Sequence, residues 1–168
     1  MIFSPTYVIH KVTDISIDML KKINIHGVIL DIDDTLVAPD SNIISEEIIN
    51  WLKLLENGNI KIIFVSNNTE ERVKKFAENL SKFNINIPWI AMSCKPLGFK
   101  IKQAIKKISC KSGEIILIGD QIFTDILAAN LINIKSVLVD PVSKPSNIFM
   151  KVKRKLENRI RTRKIKTK

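Results

Sequence analysis

The chain has 168 residues, of which 45% are apolar and 26% charged, a composition typical of a globular domain with a hydrophobic core. No apolar run approaches the ~18 residues that a membrane-spanning helix requires, and the N-terminus lacks the basic and apolar segments of a secretory signal. The net charge of +10 is uneven, because residues 151–168 hold ten of the 27 Lys and Arg residues but one of the 17 acidic residues. The basic character therefore belongs to the C-terminal segment and not to the domain before it.

Cysteine and histidine do not indicate a metal site. Cys94 and Cys110 show no metal-binding spacing, and we interpret them as free thiols in a reducing compartment. This predicts a cytoplasmic protein, or one of an organelle stroma or matrix. His10 and His26 are assigned no function, because an isolated histidine is more often a surface or core residue than a catalytic one.

The first predicted elements are a short helix and a buried strand. Residues 1–13 have no regular pattern, and either Asp14 or Ser16 is suited to cap a helix that ends at Lys22. Residues 27–30 then form an apolar run with β-branched side chains, which is typical of a buried parallel strand.

Helices and strands alternate along the rest of the chain. Helices are predicted at 45–57, from Thr69 onward, from Pro96 to about Ser109 and up to Leu131, and strands at 60–65, 88–91, 114–118 and 134–139. This alternation predicts an α/β fold, a Rossmann-like three-layer sandwich with a central parallel sheet of about five strands. The domain is expected at residues 1–145, followed by a basic amphipathic tail at residues 146–168.

Two carboxylates follow the first strand, at the edge of an α/β sheet where ligands bind. Residues two apart in a strand project to the same face, so the pattern predicts that Asp31 and Asp33 share a side. Neighbouring buried carboxylates repel each other, and an oxygen-ligated cation, Mg²⁺ before Ca²⁺, would relieve that repulsion. The alternative is an ordinary capped strand end, because Asp and Thr are common before turns.

Polar groups also follow the later strands. Ser66 comes after the second strand, Lys95 lies in the loop after the third, and Asp120 and Asp125 come after the fourth. We expect these side chains to converge, with the carboxylates holding Mg²⁺ and with Ser66 and Lys95 holding phosphate oxygens. One aspartate is then left to act as a nucleophile. Each element alone also has an ordinary structural interpretation, as a capping serine, a surface lysine or a turn.

Together these groups resemble the four motifs of the haloacid dehalogenase-like (HAD) phosphohydrolases. The resemblance covers residues 27–140. The runs Ser66-Asn67-Asn68, Lys95-Pro96 and Gly119 to Asp125 are similar to those of the YqeG-type branch, which is itself similar to the mitochondrial phosphatidylglycerophosphate phosphatases. Asp34 departs from that branch, which usually has Asn at this position.

The resemblance implies a role for each site residue. Asp31 would be the nucleophile, and Asp33 would be the general acid and later the general base, helped to hold its proton by neighbouring carboxylates. The implied phosphate-binding residues are Ser66, Asn67 and Lys95. The implied Mg²⁺ ligands are Asp31, Asp120 and the backbone carbonyl of Asp33, with Asp125 acting through water or orienting Lys95.

The spacing of the motifs leaves no room for a cap domain. Thirty residues separate Thr35 from Ser66 and 28 separate Ser66 from Lys95, and each interval is used by one helix and its connections. An uncapped site is open to large substrates, such as a phosphate on a macromolecule or at a membrane surface.

The C-terminal tail bears on the choice of substrate. Ile148, Val152, Leu156 and Ile160 recur every four residues opposite a basic face, which is typical of a helix on a membrane surface. We expect peripheral membrane association through residues 148–168 and an anionic phospholipid substrate. The alternatives are that the apolar stripe packs on the domain, or that the tail binds RNA or other polyanions non-specifically.

Three functions are compatible with these patterns. The first is a Mg²⁺-dependent phosphatase that converts phosphatidylglycerophosphate to phosphatidylglycerol through an aspartyl-phosphate intermediate. The second is a phosphatase for nucleic-acid ends or for a small phosphorylated metabolite. The third is a non-catalytic binding module with the same fold. The sequence does not indicate an oligomeric state.

Overall fold

The computed structural model describes residues 2–39 and 41–143. The tail predicted at residues 146–168 lies outside the described residues. Within them, six strands form one sheet: β1 (Tyr7–Val8), β2 (Gly27–Leu30), β3 (Lys61–Val65), β4 (Trp89–Ile90), β5 (Ile115–Gly119) and β6 (Lys135–Leu138). The α-helices are α1 (Ile17–Lys22), α2 (Glu46–Asn57), α3 (Glu70–Ser81), α4 (Phe99–Lys107) and α5 (Leu127–Leu131).

The sheet is parallel throughout, in the order β1-β6-β5-β2-β3-β4. The five predicted strands are confirmed, and β2 lies between β3 and β5, with Gly27 opposite Lys61 and Ile115. A sixth strand, Tyr7–Val8, lies in the segment predicted to be irregular and pairs with β6. Two residues are too few to show the alternation typical of a strand, so this strand can be identified only from its pairing with β6.

Alternate residues of each central strand enter two different hydrophobic clusters. Val28 and Leu30 pack in the cluster that includes residues of α1, α2 and α3, whereas Ile29 packs in the cluster of α4 and α5. Strand side chains alternate between faces, so this distribution places helices on both sides of the sheet. The predicted three-layer α/β sandwich is confirmed.

Helix starts largely follow the predicted caps. Ser45 and Thr69 accept hydrogen bonds from backbone N–H groups in the first turns of α2 and α3, and Ser16, rather than Asp14, does so for α1. The prediction that Pro96 lies in the first turn of a helix is wrong, because α4 begins at Phe99. Lys95 and Pro96 lie in a turn, and the Asn67 side chain bonds to both the backbone N–H and the carbonyl of Lys95.

The connections between the motif strands are short. In the described chain, α2 is the one helix between β2 and β3, and α3 is the one helix between β3 and β4. The expected absence of an inserted cap at these two points agrees with that arrangement. Among the described residues, no helix combines the length and the apolar character needed to cross a lipid bilayer.

Candidate active site

Three buried carboxylates meet at the carboxyl edge of the central strands. Asp31 directly follows β2, Asp120 directly follows β5, and Asp125 lies in the π-helical turn Ile122–Ile126. Each offers a carboxylate oxygen within 4.8 Å of the others, and none of the three residues is more than 7% exposed. The Thr35 hydroxyl lies 3.3 Å from Oδ2 of Asp31 and 3.3 Å from Oδ1 of Asp120, so it links two of them.

Lys95 supplies the positive charge of this cluster. Its Nζ lies 2.6 Å from Oδ1 of Asp31 and 2.7 Å from Oδ1 of Asp125, and it donates to the carbonyl of Val65 at 2.8 Å. Burial opposes the charged form, but the Asp125 and Asp31 carboxylates outweigh it, and the pKa of Lys95 is raised above its usual range. Lys95 is therefore a buried ammonium group that donates two hydrogen bonds and forms an ion pair with Asp125, whose Oδ1 accepts no hydrogen bond from the described residues.

Burial also changes the pKa of Asp31, the nucleophile implied by the sequence. It raises the pKa of Asp31 to about 8, and the Asp125 and Asp120 carboxylates act in the same direction, while Lys95 opposes them. Burial and the two neighbouring carboxylates therefore oppose the negative charge of Asp31, and Lys95 favours it.

The donor set of the cluster fits a divalent cation. Three carboxylates face one ammonium group, and all the candidate ligand atoms are oxygens. A hard cation such as Mg²⁺ prefers oxygen ligands and would offset the cost of three buried negative charges. The residues that would hold it are Asp31, Asp120 and Asp125.

Gly119 is required by the position of Asp125. A side chain on Gly119, the last residue of β5, would collide with the carboxyl group of Asp125. Oδ2 of Asp125 accepts from the backbone N–H of Gln121 at 3.2 Å and from the Thr124 hydroxyl at 3.3 Å. These contacts hold the carboxylate with its other oxygen against Lys95.

Asp33 lies outside the carboxylate cluster of the described residues. Its Oδ1 accepts from Nη2 of Arg72 at 2.8 Å, and its Oδ2 accepts from Nδ2 of Asn68 at 3.2 Å. A guanidinium and an amide therefore contact the Asp33 carboxylate, and the proton-holding effect of neighbouring carboxylates stays a prediction. Strand alternation does not extend to this residue, since β2 ends at Leu30 and the next residues form a turn with Asp34 at φ 63°.

The residues predicted to bind phosphate lie beside the cluster and have different local roles. Ser66 is buried, and its hydroxyl accepts from the backbone N–H of Asn68 at 3.1 Å. The Asn67 side chain accepts from the Lys95 backbone N–H at 2.7 Å and donates to the Lys95 carbonyl at 3.0 Å. It also accepts from the Ser93 hydroxyl at 2.6 Å. Asn67 therefore holds the Lys95 loop with its side chain.

The sequence interpretation missed Arg72. This residue lies in the first turn of α3, where the helix dipole disfavours a cation. An arginine in the first turn of a helix indicates that a contact outside the helix stabilises it.

The remaining titratable candidates lie elsewhere. His10 pairs with Asp140, and the Asp140 carboxylate raises the pKa of His10 above its ordinary value of 6.5. His26 contacts the side chain of Asn24. Both cysteines are free thiols, as predicted, and Cys94 is exposed.

Comparison with known proteins decides the family. A family model described as mitochondrial PGP phosphatase matches residues 1–143. The chain is also 34% identical to the Bacillus subtilis protein named "Probable phosphatase YqeG", over 94% of this chain and 89% of that protein. The chain belongs to the YqeG-type family of HAD phosphatases. The predicted resemblance is confirmed, and the hypothesis of a non-catalytic module does not fit this phosphatase family.

Solved structures agree with the fold of this YqeG-type phosphatase. An uncharacterized protein from Listeria monocytogenes serotype 4b aligns with a TM-score of 0.57 and 17% identity, covering 73% of this chain and 85% of that one. A thermostable NPPase from Geobacillus stearothermophilus aligns with a TM-score of 0.52 and 14% identity, covering 68% and 87%. At these identities the likeness concerns the fold alone.

Proposed function

We propose that the chain is a Mg²⁺-dependent phosphomonoester hydrolase that works through an aspartyl-phosphate on Asp31. One observation carries the proposal, the contact of the buried Asp31 carboxylate with the Lys95 ammonium inside a cluster of two further carboxylates. Such a site neutralises the negative charge that spreads over a transferring phosphoryl group. When bound, Mg²⁺ supplies Lewis-acid stabilisation of the phosphoryl oxygens.

The reaction consists of two displacements. In the first, an Asp31 oxygen bonds to phosphorus, the ester P–O bond breaks, and Asp33 gives its proton to the departing oxygen. In the second, Asp33 takes a proton from water, the water oxygen bonds to phosphorus, and the bond to Asp31 breaks. The alcohol and inorganic phosphate leave, and both aspartates return to their starting states.

Ser66, Lys95 and the backbone N–H of Asn67 hold the phosphoryl group in this scheme. Lys95 donates hydrogen bonds to Asp31 and to the Val65 carbonyl, and its ammonium group contributes positive charge to the bound phosphoryl group. The hydroxyl of Ser66 still has its own proton to donate, because it acts as an acceptor toward Asn68.

The substrate that we propose is phosphatidylglycerophosphate. The description of the matching family supports it, and so does the absence of an inserted cap between the motif strands of the described chain. The basic amphipathic pattern of residues 148–168 supports binding to an anionic membrane surface.

Phosphate release by the purified protein tests this proposal. The substrates are phosphatidylglycerophosphate in anionic vesicles, a 5′-phosphorylated oligonucleotide and an aryl phosphate, each with Mg²⁺ and with chelator. We expect Mg²⁺-dependent release with preference for the lipid, and a loss of about three orders of magnitude or more for the folded variant Asp31→Asn.

The other outcomes are equally informative. Preference for the oligonucleotide, or for the aryl phosphate over the lipid, would keep the chemistry and overturn the substrate. Undiminished activity of Asp31→Asn would overturn the mechanism.

A further inference from the structure

Arg72 is a nearly buried cation beside the proposed general acid. Its side chain is 9% exposed, and its Nη2 donates to Oδ1 of Asp33 and to the carbonyl of Ser41, both at 2.8 Å. The guanidinium carbon lies 6.0 Å from the centre of the Phe76 ring. Arg72 thus joins α3, the segment that follows β2 and the turn that carries Asp33.

Two nitrogen atoms of this guanidinium have no acceptor within the described part of the chain. Among the described residues, Nε and Nη1 of Arg72 are buried and make no hydrogen bond. An arginine is always charged and has a planar fork of donors that matches the oxygens of a phosphate or carboxylate. Buried donors without partners are unfavourable, so the unused edge of Arg72 is suited to an anion that arrives with a ligand.

We infer that Arg72 is a specificity-determining residue that binds a second anionic group on the leaving group of the substrate. The inference rests on the proposed function and on the proposed role of Asp33, and it assigns a residue to the leaving group of the proposed substrate. The substrate is a phosphomonoester whose alcohol carries a further phosphate, as a phosphodiester, a short distance from the scissile bond.

The position of Arg72 determines the expected distance between the scissile bond and the second phosphate. Asp33 protonates the departing oxygen, and its carboxyl group also contacts Nη2 of Arg72 at 2.8 Å. With an ordinary hydrogen bond to the departing oxygen, that oxygen and the guanidinium are separated by roughly 5 to 7 Å. A glycerol unit between a monoester and a diester has a comparable length.

An anion competes well for this guanidinium. Of its two present partners, the Ser41 carbonyl is neutral, and a charged phosphate oxygen is the stronger acceptor. When the anion displaces the Ser41 carbonyl from Nη2 of Arg72, the segment after β2 loses one of its contacts to α3. Asn79 keeps a second contact, because its Nδ2 donates to the Asn42 carbonyl at 3.3 Å.

Two soluble substrates that differ in one group test the inference on the full chain. Glycerophosphoglycerol phosphate has a phosphodiester on its leaving group, and glycerol 3-phosphate has none. Arg72→Lys keeps the charge without Nε and the planar fork, and Arg72→Gln removes the charge. Lys75→Gln is the matched control, because it removes an exposed positive charge from the same helix.

We expect Arg72→Lys and Arg72→Gln to lower kcat/KM for the diester-bearing substrate by about 10- to 100-fold more than for glycerol 3-phosphate. Lys75→Gln should leave the ratio of the two values unchanged. An equal loss for both substrates would mean that Arg72 only supports the fold, and the inference would be overturned. That result would not contradict the proposed phosphatase activity.

A binding measurement keeps the inference testable if no ester is hydrolysed, an outcome that would instead remove the proposed function. The NMR signal of the Arg72 Nε–H group, assigned by its loss in Arg72→Lys, is followed while glycerophosphoglycerol is added to the wild-type protein. A saturable shift, smaller with glycerol, supports the site. No shift at millimolar concentration overturns it.

Discussion

Lys95 shows how one side chain determines the electrostatics of the whole site. It is the cation that contacts Asp31 and Asp125 in the described cluster, at 2.6 and 2.7 Å. The side chains of all three are no more than 9% exposed, so water screens little of their interaction. Removing a partner from a buried ion pair is costly, because the remaining charge stays buried without compensation.

Lys95→Met should therefore destabilise the protein by about 3 kcal/mol in the presence of a chelator. Urea unfolding followed by circular dichroism measures the change. Lys102→Met removes an exposed lysine from α4 and should have little effect. An unchanged urea midpoint for Lys95→Met would contradict the electrostatic account of this cluster.

Asp34 is well suited to the backbone conformation at its position. Its φ of 63° lies in the left-handed region, which Asp and Asn tolerate better than most residues. Its carboxylate accepts from the Ser143 backbone N–H at 3.1 Å and from the Ser143 hydroxyl. The departure from Asn at this position is thus compatible with the turn, and it connects the motif to the last described residue.

At the scale of elements, the end of β5 and the π-helical turn are built around one close contact. Gly119 ends the strand, and Asp125 occupies the space that a side chain would need. The turn can return its carboxylate to Lys95 only because residue 119 has no Cβ.

Gly119→Ala should push Asp125 away and lower activity by about tenfold or more, with a destabilisation of about 1–3 kcal/mol. Steady-state kinetics and thermal unfolding check the two effects. Gly113→Ala is the control, because a Cβ there meets no atom within 4 Å. Equal behaviour of the two variants would contradict the steric argument.

The neighbouring strands β1 and β6 lead into a second polar contact at one side of the sheet. His10 follows β1, and its Nδ1 lies 2.9 Å from Oδ2 of Asp140, which follows β6. The folded-state pKa of His10 is raised above 6.5 by this carboxylate. The contribution of the pair to stability is therefore complete below pH 6.5 and is lost as the pH rises through the folded-state pKa.

An NMR titration of the His10 ring should show this raised pKa, and Asp140→Asn should lower it toward 6.5. The His26 signal serves as an internal reference and should not respond to the substitution, since that ring contacts Asn24. A His10 titration that is the same in both proteins would show that the pair does not form in solution.

At the scale of the whole molecule, charge separates the chain into two parts. Residues 151–168 hold ten basic residues and one acidic residue, whereas the rest of the chain is nearly neutral. The site and the matched family region both lie within residues 1–143. The proposed chemistry and the proposed membrane attraction therefore belong to different segments of the chain.

Deleting residues 151–168 should leave hydrolysis of an aryl phosphate unchanged and lower activity on lipid in anionic vesicles. Each basic residue near such a surface contributes ~1 kcal/mol of attraction, so the loss should be tenfold or more and should shrink as salt is added. Equal activity of the two proteins on vesicles would remove the membrane argument.

The α/β sandwich and most residues of the candidate site could be predicted from sequence alone. Apolar runs ending in Asp31, Ser66 and Asp120 identify strands and the edge where their polar ends meet, because parallel strands present their carboxyl ends together. Periodicity located the helices, and the motif spacing excluded an inserted cap. These features are local in sequence.

The contacts between residues that are distant in sequence could be learned only from the folded chain. The pairing of Asp33 with Arg72 joins residues 39 positions apart, and the strand at Tyr7–Val8 exists through its partner 130 positions away. The hydrogen bond between the Asn67 side chain and the Lys95 backbone, in the turn before α4, joins residues 28 positions apart. Contacts of this kind depend on where the folded chain returns, and neither propensity nor periodicity contains that information.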